Sequence, residues 1–348
     1  MNTQVIILGF HRSGTSLFTD YLNQAGLFVG SDLLGATPTN HRGHFEDRGI
    51  VHFHTSMLQR AGVNWLASAP YFPIYVPQDH KEVLRLLANR DAHNAVWGFK
   101  DPRTCLFWDL WDTHASNPVY VVPLRHYEFC VDSLQRRAFR DANTKNVGRQ
   151  HNLRIANNPD MSAASWLLHM ARVLECVSKA PERSFVVDMH QLNKESRPVR
   201  MVNEKFDLAL EDIEFGRVFD QSHFKATMRH PPVISPSLRQ QCEELWQELL
   251  ARADPEGASA ATREVRSYRP FVLKTDNAEY ERLRLEVGLG GGVRRDKKAP
   301  PRPAVARAMN DGEVAGLFAE RMRAGRYGKF LKFMEPFLSA VFDWLNKR

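Results

Sequence analysis

The sequence is poor in cysteine and contains no long apolar run. Its 348 residues include only four cysteines, which are widely scattered and lack the spacing of a metal site. No stretch approaches the ~20 apolar residues of a membrane-spanning helix. The apolar run at residues 5–8 is too short for a signal peptide and predicts a first β-strand, so we expect a cytoplasmic protein. The cysteines are expected to be buried free thiols: Cys105, Cys130, Cys176 and Cys242.

Acidic residues are also in the minority. The chain has 47 Lys and Arg residues against 40 Asp and Glu residues, a net charge of +7. This balance suits an anionic ligand, a nucleic acid or an acidic membrane surface. The excess is concentrated in residues 288–307, with six basic residues and one acidic residue, although a solvated linker would have the same composition. Because this segment lacks interleaved aromatic residues, we do not expect nucleic acid as a partner.

Short apolar segments alternate with helical patterns over much of the chain. The segments at residues 5–8, 95–99, 119–124 and 184–188 each precede a loop or a helix. This alternation predicts a three-layer α/β core over residues 1–235, with a mainly parallel central sheet flanked by helices. Ligands of such sheets bind at the carboxyl ends of the strands.

The last third predicts a helical C-terminal extension over residues 236–348. A basic linker rich in glycine and proline interrupts it at residues 288–304. The final segment, RYGKFLKFMEPFLSAVFDWLNKR, is basic and amphipathic and could lie peripherally on a membrane surface. We favour the alternative that its aromatic residues pack on the domain, because Glu335 and Asp343 interrupt the apolar face.

The motif GFHRSGTS, residues 9–16, lacks the lysine of a nucleotide-triphosphate loop but keeps its setting between a predicted strand and a helix. Backbone N–H groups and a helix N-terminus in that setting cradle a phosphate group. Thr15 occupies the lysine position, and a cation stands three positions earlier. An ordinary strand-to-helix turn is the alternative. The residues predicted to bind a terminal phosphate are Arg12, Ser13, Gly14, Thr15 and Ser16.

A second candidate anion site follows the apolar segment at residues 119–124. Arg125 comes at its end, and Ser133 lies eight residues further on in a helical pattern. A guanidinium and a hydroxyl can together bind a second phosphate group. Taken alone, the two residues are better explained as a surface ion pair and a helix serine.

Together, these features make the sequence resemble the sulfotransferases that use 3′-phosphoadenosine 5′-phosphosulfate (PAPS). GFHRSGTS resembles the 5′-phosphosulfate loop of that family, with Arg12 at its cationic position. Arg125 and Ser133 match its 3′-phosphate pair, including their separation. The segments WGFKDPRT and SFVVDMHQL resemble segments of bacterial and carbohydrate-directed members, so the similarity covers residues 5–195. The resemblance implies a P-loop-like fold, PAPS as the sulfuryl donor and no metal ion.

The resemblance also suggests the catalytic roles. Arg12 and Lys100 are candidates for the cation that stabilises charge on the leaving oxygen, although Lys100 could equally form a structural ion pair. Glu46 is the candidate general base, because carbohydrate-directed members often use a glutamate after the first helix. His44 is the alternative base. Glu46 could also simply begin a helix, where acidic residues are favoured.

The sequence therefore predicts an enzyme that transfers a sulfuryl group from PAPS to an acceptor hydroxyl by in-line displacement. The expected acceptor is a carbohydrate or glycan precursor. Two other functions stay open. The run FVVD, ending at Asp188, resembles a Walker-B strand and suggests an ATP-dependent small-molecule kinase. The basic segment at residues 288–307 suggests a non-catalytic protein that binds anions or membranes.

Overall fold

Four parallel β-strands form the centre of the protein. The structure, a computed structural model, describes residues 2–35, 43–68, 71, 73–144, 148–219, 228 and 231–254. Within these residues the strand order is β2-β1-β3-β4. The strands are β1 Thr3–Ile7, β2 Val96–Lys100, β3 Pro118–Leu124 and β4 Ser184–Asp188. The α/β class and the parallel sheet predicted from the alternating pattern are confirmed.

Helices connect the strands and flank the sheet. Proline stands at the first position of several of them, where its missing N–H group has no cost. The helices are α1 Thr15–Gln24, α2 Arg48–Arg60, α3 Pro77–Asp91, α4 Thr104–His114, α5 Tyr127–Thr144, α6 Arg149–Asn157, α7 Pro159–Lys179, α8 Pro198–Phe206 and α9 Pro236–Leu250.

Apolar side chains cover both faces of the sheet. On one face, Val5, Ile7 and Val121 belong to a core that also contains buried residues of α1 and α8. On the other face, the ring of Tyr120 lies 6.3 Å from that of Trp108 on α4. Successive residues of a strand point to opposite faces. Burial on both faces therefore explains why the strands appear in the sequence as nearly continuous apolar runs.

The register of the sheet brings the predicted site segments to one edge. Ile7 at the end of β1 pairs with Lys100 of β2 and with Val121 of β3. The loop after β1, the residues after Lys100 and Arg125 after β3 therefore all lie at the carboxyl edge of the sheet, where ligands of parallel sheets bind.

The helix α9, which belongs to the predicted C-terminal extension, packs on the same unit as the sheet. Its Cys242 thiol lies 3.7 Å from the main-chain oxygen of Ala163 on α7. The ring of Trp246 lies 5.1 Å from that of His126. The domain boundary at residue 235 stays a prediction. The predicted linker at residues 288–304 and the amphipathic segment after it lie outside the described residues.

The four cysteines are buried and free, as the sequence predicted. The thiol of Cys105 accepts a hydrogen bond from the amide of Gly9 at 3.2 Å, so it supports the loop after β1. Among the helices of the described ranges, none is both long enough and apolar enough to cross a membrane.

Candidate functional site

Two left-handed residues shape the loop between β1 and α1. Arg12 has a φ of 70° and Gly14 a φ of 93°, a region that residues with a Cβ atom rarely occupy. The amide of Ser13 donates to the main-chain oxygen of Phe10 at 3.1 Å and closes a turn. This turn leads directly into α1, which begins at Thr15. The loop backbone therefore forms a tight turn immediately before the N-terminus of α1.

The inside of this loop is tightly packed and holds a polar atom without a partner. A Cβ atom at Gly9 would lie 2.6 Å from Thr15 Cγ2 and 2.9 Å from Ser13 Oγ, so only glycine fits. The Ser13 hydroxyl is buried and has no hydrogen-bond partner among the described residues. Leaving such a group unpaired costs about 1–3 kcal/mol. The loop thus offers a hydroxyl and a helix N-terminus to an anion.

Arg12, Arg125 and Ser133, which the sequence assigns to two anion sites, are in direct contact. Arg12 Nε donates to the Ser133 hydroxyl at 3.0 Å. Arg125 Nη1 donates to the main-chain oxygen of Arg12, also at 3.0 Å. Ser133 lies on α5, and Arg125 lies just before that helix. The structure therefore brings the two predicted sites together as one cationic cluster.

Arg12 makes no ion pair with any carboxylate of the described residues. Burial, which is the largest cause, and the neighbouring charges of Arg137, Arg125 and Arg140 together lower its pKa to about 10. The guanidinium is still charged at neutral pH. A concentration of cations, with no carboxylate paired to Arg12 in the described residues, suits a site that binds an anion.

A second polar cluster lies at the end of β2. Lys100 Nζ donates to Glu46 Oε1 at 2.7 Å and to the hydroxyl of Ser16 at 3.1 Å. That hydroxyl in turn donates to the main-chain oxygen of His44 at 3.2 Å. Burial lowers the pKa of Lys100, and the Glu46 carboxylate partly offsets this. The predicted catalytic residues Glu46, Lys100 and His44 thus gather around Ser16, the last residue of the motif.

His44 is half-buried and holds its imidazole in the neutral form at neutral pH. Burial lowers its pKa to about 4; Glu46 raises it, whereas Arg137 and Lys100 lower it. Phe45, which separates His44 from Glu46, has a left-handed φ of 52°. Both neighbours of Phe45 can therefore contact the same cluster around Ser16.

A buried network extends from this cluster into the core. Asp101 accepts hydrogen bonds from Arg103 Nε at 2.8 Å and from His54 Nδ1 at 2.8 Å. Trp111 Nε1 donates to His54 Nε2 at 2.9 Å. Because an indole N–H can only donate, His54 carries its proton on Nδ1 and is neutral. Burial lowers the pKa of His54, in agreement with that state.

Arg103 connects this network to Glu46. Its Nη2 lies 3.4 Å from Glu46 Oε2, so the carboxylate contacts Lys100 through one oxygen and Arg103 through the other. Burial opposes the ionisation of Asp101, but Arg103 and His54 outweigh it and hold its pKa well below the usual range. Sequence reasoning did not assign Asp101 a role. The acid and arginine that follow β2 in KDPR were the available signal.

Two buried histidines behind the loop were also missed. The ring of His11 lies 5.9 Å from that of His169 and 4.9 Å from that of Trp65. His169 Nδ1 donates to the main-chain oxygen of Ser165 at 2.8 Å. Burial lowers the pKa of His169 to about 4 and that of His11 well below its usual value. Both imidazoles are neutral, and their Nε2 atoms have no partner among the described residues.

Asp188, the acid of the Walker-B-like run, makes contacts within its own turn. Its carboxylate accepts hydrogen bonds from the amide of His190 at 3.0 Å and from Gln191 Nε2 at 3.3 Å. Burial raises the pKa of Asp188, although these hydrogen bonds oppose the change. In the described residues, the Asp188 carboxylate therefore makes no hydrogen bond outside its own turn.

Comparisons with known proteins leave the site to be interpreted by its own chemistry. No protein-family model matches the sequence, and no curated protein is significantly similar to it. In the part of the chain that the structure describes, no group of three or more His, Cys, Asp or Glu side chains could hold a metal ion. A fold alone does not define a function, so the functional proposal rests on the contacts of the two clusters.

Proposed function

We propose that the protein is a PAPS-dependent sulfotransferase that acts on a hydroxyl of a carbohydrate or glycan precursor. One observation carries the proposal: the loop contacts both residues of the second anion site. Arg12 of the loop donates to Ser133, and Arg125 donates to the loop backbone, each at 3.0 Å. Two adjoining anion sites suit a nucleoside with phosphate groups on two positions. The parallel sheet, with the loop after β1, is compatible with a P-loop-like layout.

The residues fit the two ends of PAPS. The buried hydroxyl of Ser13 and the N-terminus of α1 would hold the 5′-phosphosulfate. Arg125 and Ser133 would hold the 3′-phosphate. The Ser133 hydroxyl can donate to this phosphate while it still accepts from Arg12 Nε, which leaves the two Nη groups of Arg12 for a second anion. The Arg12 guanidinium would then be available to the phosphosulfate, where its fork of donors matches an oxyanion.

The charges of the two clusters suit sulfuryl transfer. When bound, PAPS supplies an activated sulfuryl group, whose bond to the phosphate oxygen breaks as the acceptor oxygen bonds to sulfur, leaving adenosine 3′,5′-bisphosphate. Arg12 and Lys100 would stabilise the negative charge that develops on that phosphate oxygen. Lys100 is placed for this role because it contacts Ser16 of the loop at 3.1 Å.

Glu46 is the general base in this proposal and takes the proton of the acceptor hydroxyl. Its two oxygens lie 2.7 Å from Lys100 Nζ and 3.4 Å from Arg103 Nη2, which fixes the carboxylate in place. Each oxygen keeps a further lone pair that can accept a proton, and the longer contact with Arg103 makes Oε2 the less strongly held oxygen. His44 is the alternative base: it is neutral at pH 7 and can accept a proton, but burial lowers its pKa to about 4 and makes it a weaker base than an ordinary histidine.

Donor binding is tested by calorimetry with adenosine 3′,5′-bisphosphate in the absence of metal. Arg12→Ala and Arg125→Ala should each weaken binding about 10-fold to 100-fold, because each removes a charged hydrogen-bond donor. The control is Arg136→Ala on α5, whose guanidinium is paired with Asp132 at 2.7 Å. Unchanged affinity in Arg12→Ala would contradict the assignment. Tighter, magnesium-dependent binding of ATP would support the kinase.

The base is tested by turnover in the presence of radiolabelled PAPS. Glu46→Gln keeps the shape of the side chain but cannot take a proton, so we expect turnover to fall about 10²-fold to 10⁴-fold. Affinity for adenosine 3′,5′-bisphosphate should stay within about twofold, because Glu46 is assigned no donor contact. If His44→Ala abolishes turnover while Glu46→Gln retains it, the base is His44.

A further inference from the structure

Three polar residues occupy one face of α5 next to the phosphate loop. Ser133, Arg137 and Arg140 are spaced i, i+4 and i+7, which aligns their side chains along a helix. Ser133 accepts the hydrogen bond from Arg12 at 3.0 Å. The positions of Arg137 and Arg140 therefore continue the cationic cluster along α5, beyond the residues assigned to the donor.

Arg137 has unused hydrogen-bonding capacity. Its Nε lies 3.5 Å from Asp141 Oδ2, and its side chain is 23% exposed. Within the part of the chain that the structure describes, the guanidinium makes no hydrogen bond. The adjacent Arg136, by contrast, donates to Asp132 through Nε at 3.0 Å and Nη2 at 2.7 Å. The guanidinium of Arg136 is thus hydrogen-bonded to a carboxylate, whereas that of Arg137 has only the 3.5 Å contact with Asp141 among the described residues.

The charge of Arg137 acts on both segments that form the reaction site. Burial is the largest cause of the lowered pKa values of His11, Arg12 and His44, and the charge of Arg137 lowers all three further. His11 and Arg12 belong to the loop after β1, whereas His44 precedes α2. Arg137 is therefore close enough to both segments for its charge to act on each of them.

We propose that Arg137 binds a negatively charged group of the acceptor, so that the natural acceptor is an acidic sugar. The inference rests on the proposed function, in which Arg12, Arg125 and Ser133 are occupied by the donor. Arg137 stands one helical turn beyond Ser133 and has both Nη groups free of hydrogen bonds to the described residues. That pair of donors matches a planar carboxylate or a sulfate ester.

The test uses two sugars that differ only in one carboxylate: p-nitrophenyl β-D-glucuronide and p-nitrophenyl β-D-glucoside. Each is titrated by calorimetry into the protein saturated with adenosine 3′,5′-bisphosphate. We expect the wild-type protein to bind the glucuronide about tenfold or more tightly than the glucoside, as a charged hydrogen bond allows. Arg137→Gln should remove this preference, and the matched control Arg136→Gln should keep it.

Three results would overturn the inference. The first is equal binding of the two sugars by the wild-type protein, including no detectable binding of either. The second is a preference that survives Arg137→Gln. The third is a tenfold or greater loss of bisphosphate affinity in Arg137→Gln, which would place Arg137 in the donor site. Failure of the wild-type protein to bind the bisphosphate at all would instead contradict the proposed function.

Discussion

Two cationic regions lie at the same edge of the sheet and are stabilised in opposite ways. The first region consists of the segments that follow β1 and β3. In it, Arg12 stands among other arginines and has no carboxylate partner in the described part of the chain. After β2, Lys100 and Arg103 are ion-paired with Glu46 and Asp101. The first region therefore carries a net positive charge, whereas the second is neutralised by its own residues.

The difference in pairing predicts different roles for the two regions, one in ligand binding and the other in stabilising the fold. Buried ion pairs that lose one partner leave an uncompensated charge, which strongly destabilises the folded state. An unpaired cation in a cluster of like charges can be removed at little cost, because its removal also relieves repulsion. We therefore expect the Asp101 and Arg103 pair of the second region to be needed for folding, and the unpaired region to be needed for ligand binding.

The largest expected effect is that of Asp101→Ala in the paired region. The substitution leaves Arg103 and His54 without their acceptor, so the free energy of unfolding should fall by about 3–5 kcal/mol. Urea denaturation at pH 7 measures the change. Asp132→Ala is the control, because its pair with Arg136 is exposed and worth about 0–1 kcal/mol. Equal effects of the two substitutions would remove the contrast.

A smaller effect concerns the buried neutral His169. Its pKa is about 4 in the folded protein, so as pH falls below the unfolded value only the unfolded state binds the proton. Stability should therefore be lost between about pH 6.5 and pH 4, amounting to about 2 kcal/mol for His169 between pH 7 and pH 5. Urea denaturation at both pH values should show a smaller decline for His169→Leu than for the wild-type protein.

The control for that experiment is His93→Leu, which removes an exposed imidazole. An identical decline in the wild-type protein and in His169→Leu would show that His169 does not remain neutral in the folded state.

The smallest expected effect is that of Arg12→Ala on stability. The change removes the hydrogen bond to Ser133 but also the repulsion from Arg125, so the free energy of unfolding should change by less than about 1 kcal/mol. The same urea series measures it without added nucleotide. A loss of about 3 kcal/mol or more, within the range for breaking a buried pair, would mean that Arg12 also supports the fold.

The strands and helices were predictable because burial leaves local patterns in the sequence. The apolar run at residues 184–188 coincides with β4 Ser184–Asp188, and the run at residues 119–124 lies within β3 Pro118–Leu124. The strand order could not be predicted. It depends on which strands pair across long stretches of chain, and hydrophobic periodicity contains no information about those partners.

The two predicted anion sites could be predicted from local sequence features, whereas the buried network depends on long-range contacts. Gly9, Gly14 and the spacing of Arg125 and Ser133 are local features that a single sequence displays. The hydrogen bond between His54 and Asp101 joins residues 47 positions apart. The sequence around each residue does not indicate the other as its partner. An acidic residue before a helix and a histidine within a helix are both commonly exposed to solvent.

Phe45, whose backbone is left-handed, lies between the two candidate bases, His44 and Glu46. Phe45 packs its side chain against the hydrophobic core, while its neighbours contact the polar cluster at Ser16 and Lys100. The positions of His44 and Glu46 therefore both depend on how Phe45 packs against the core. A substitution that shifts Phe45 is therefore expected to displace His44 and Glu46 together.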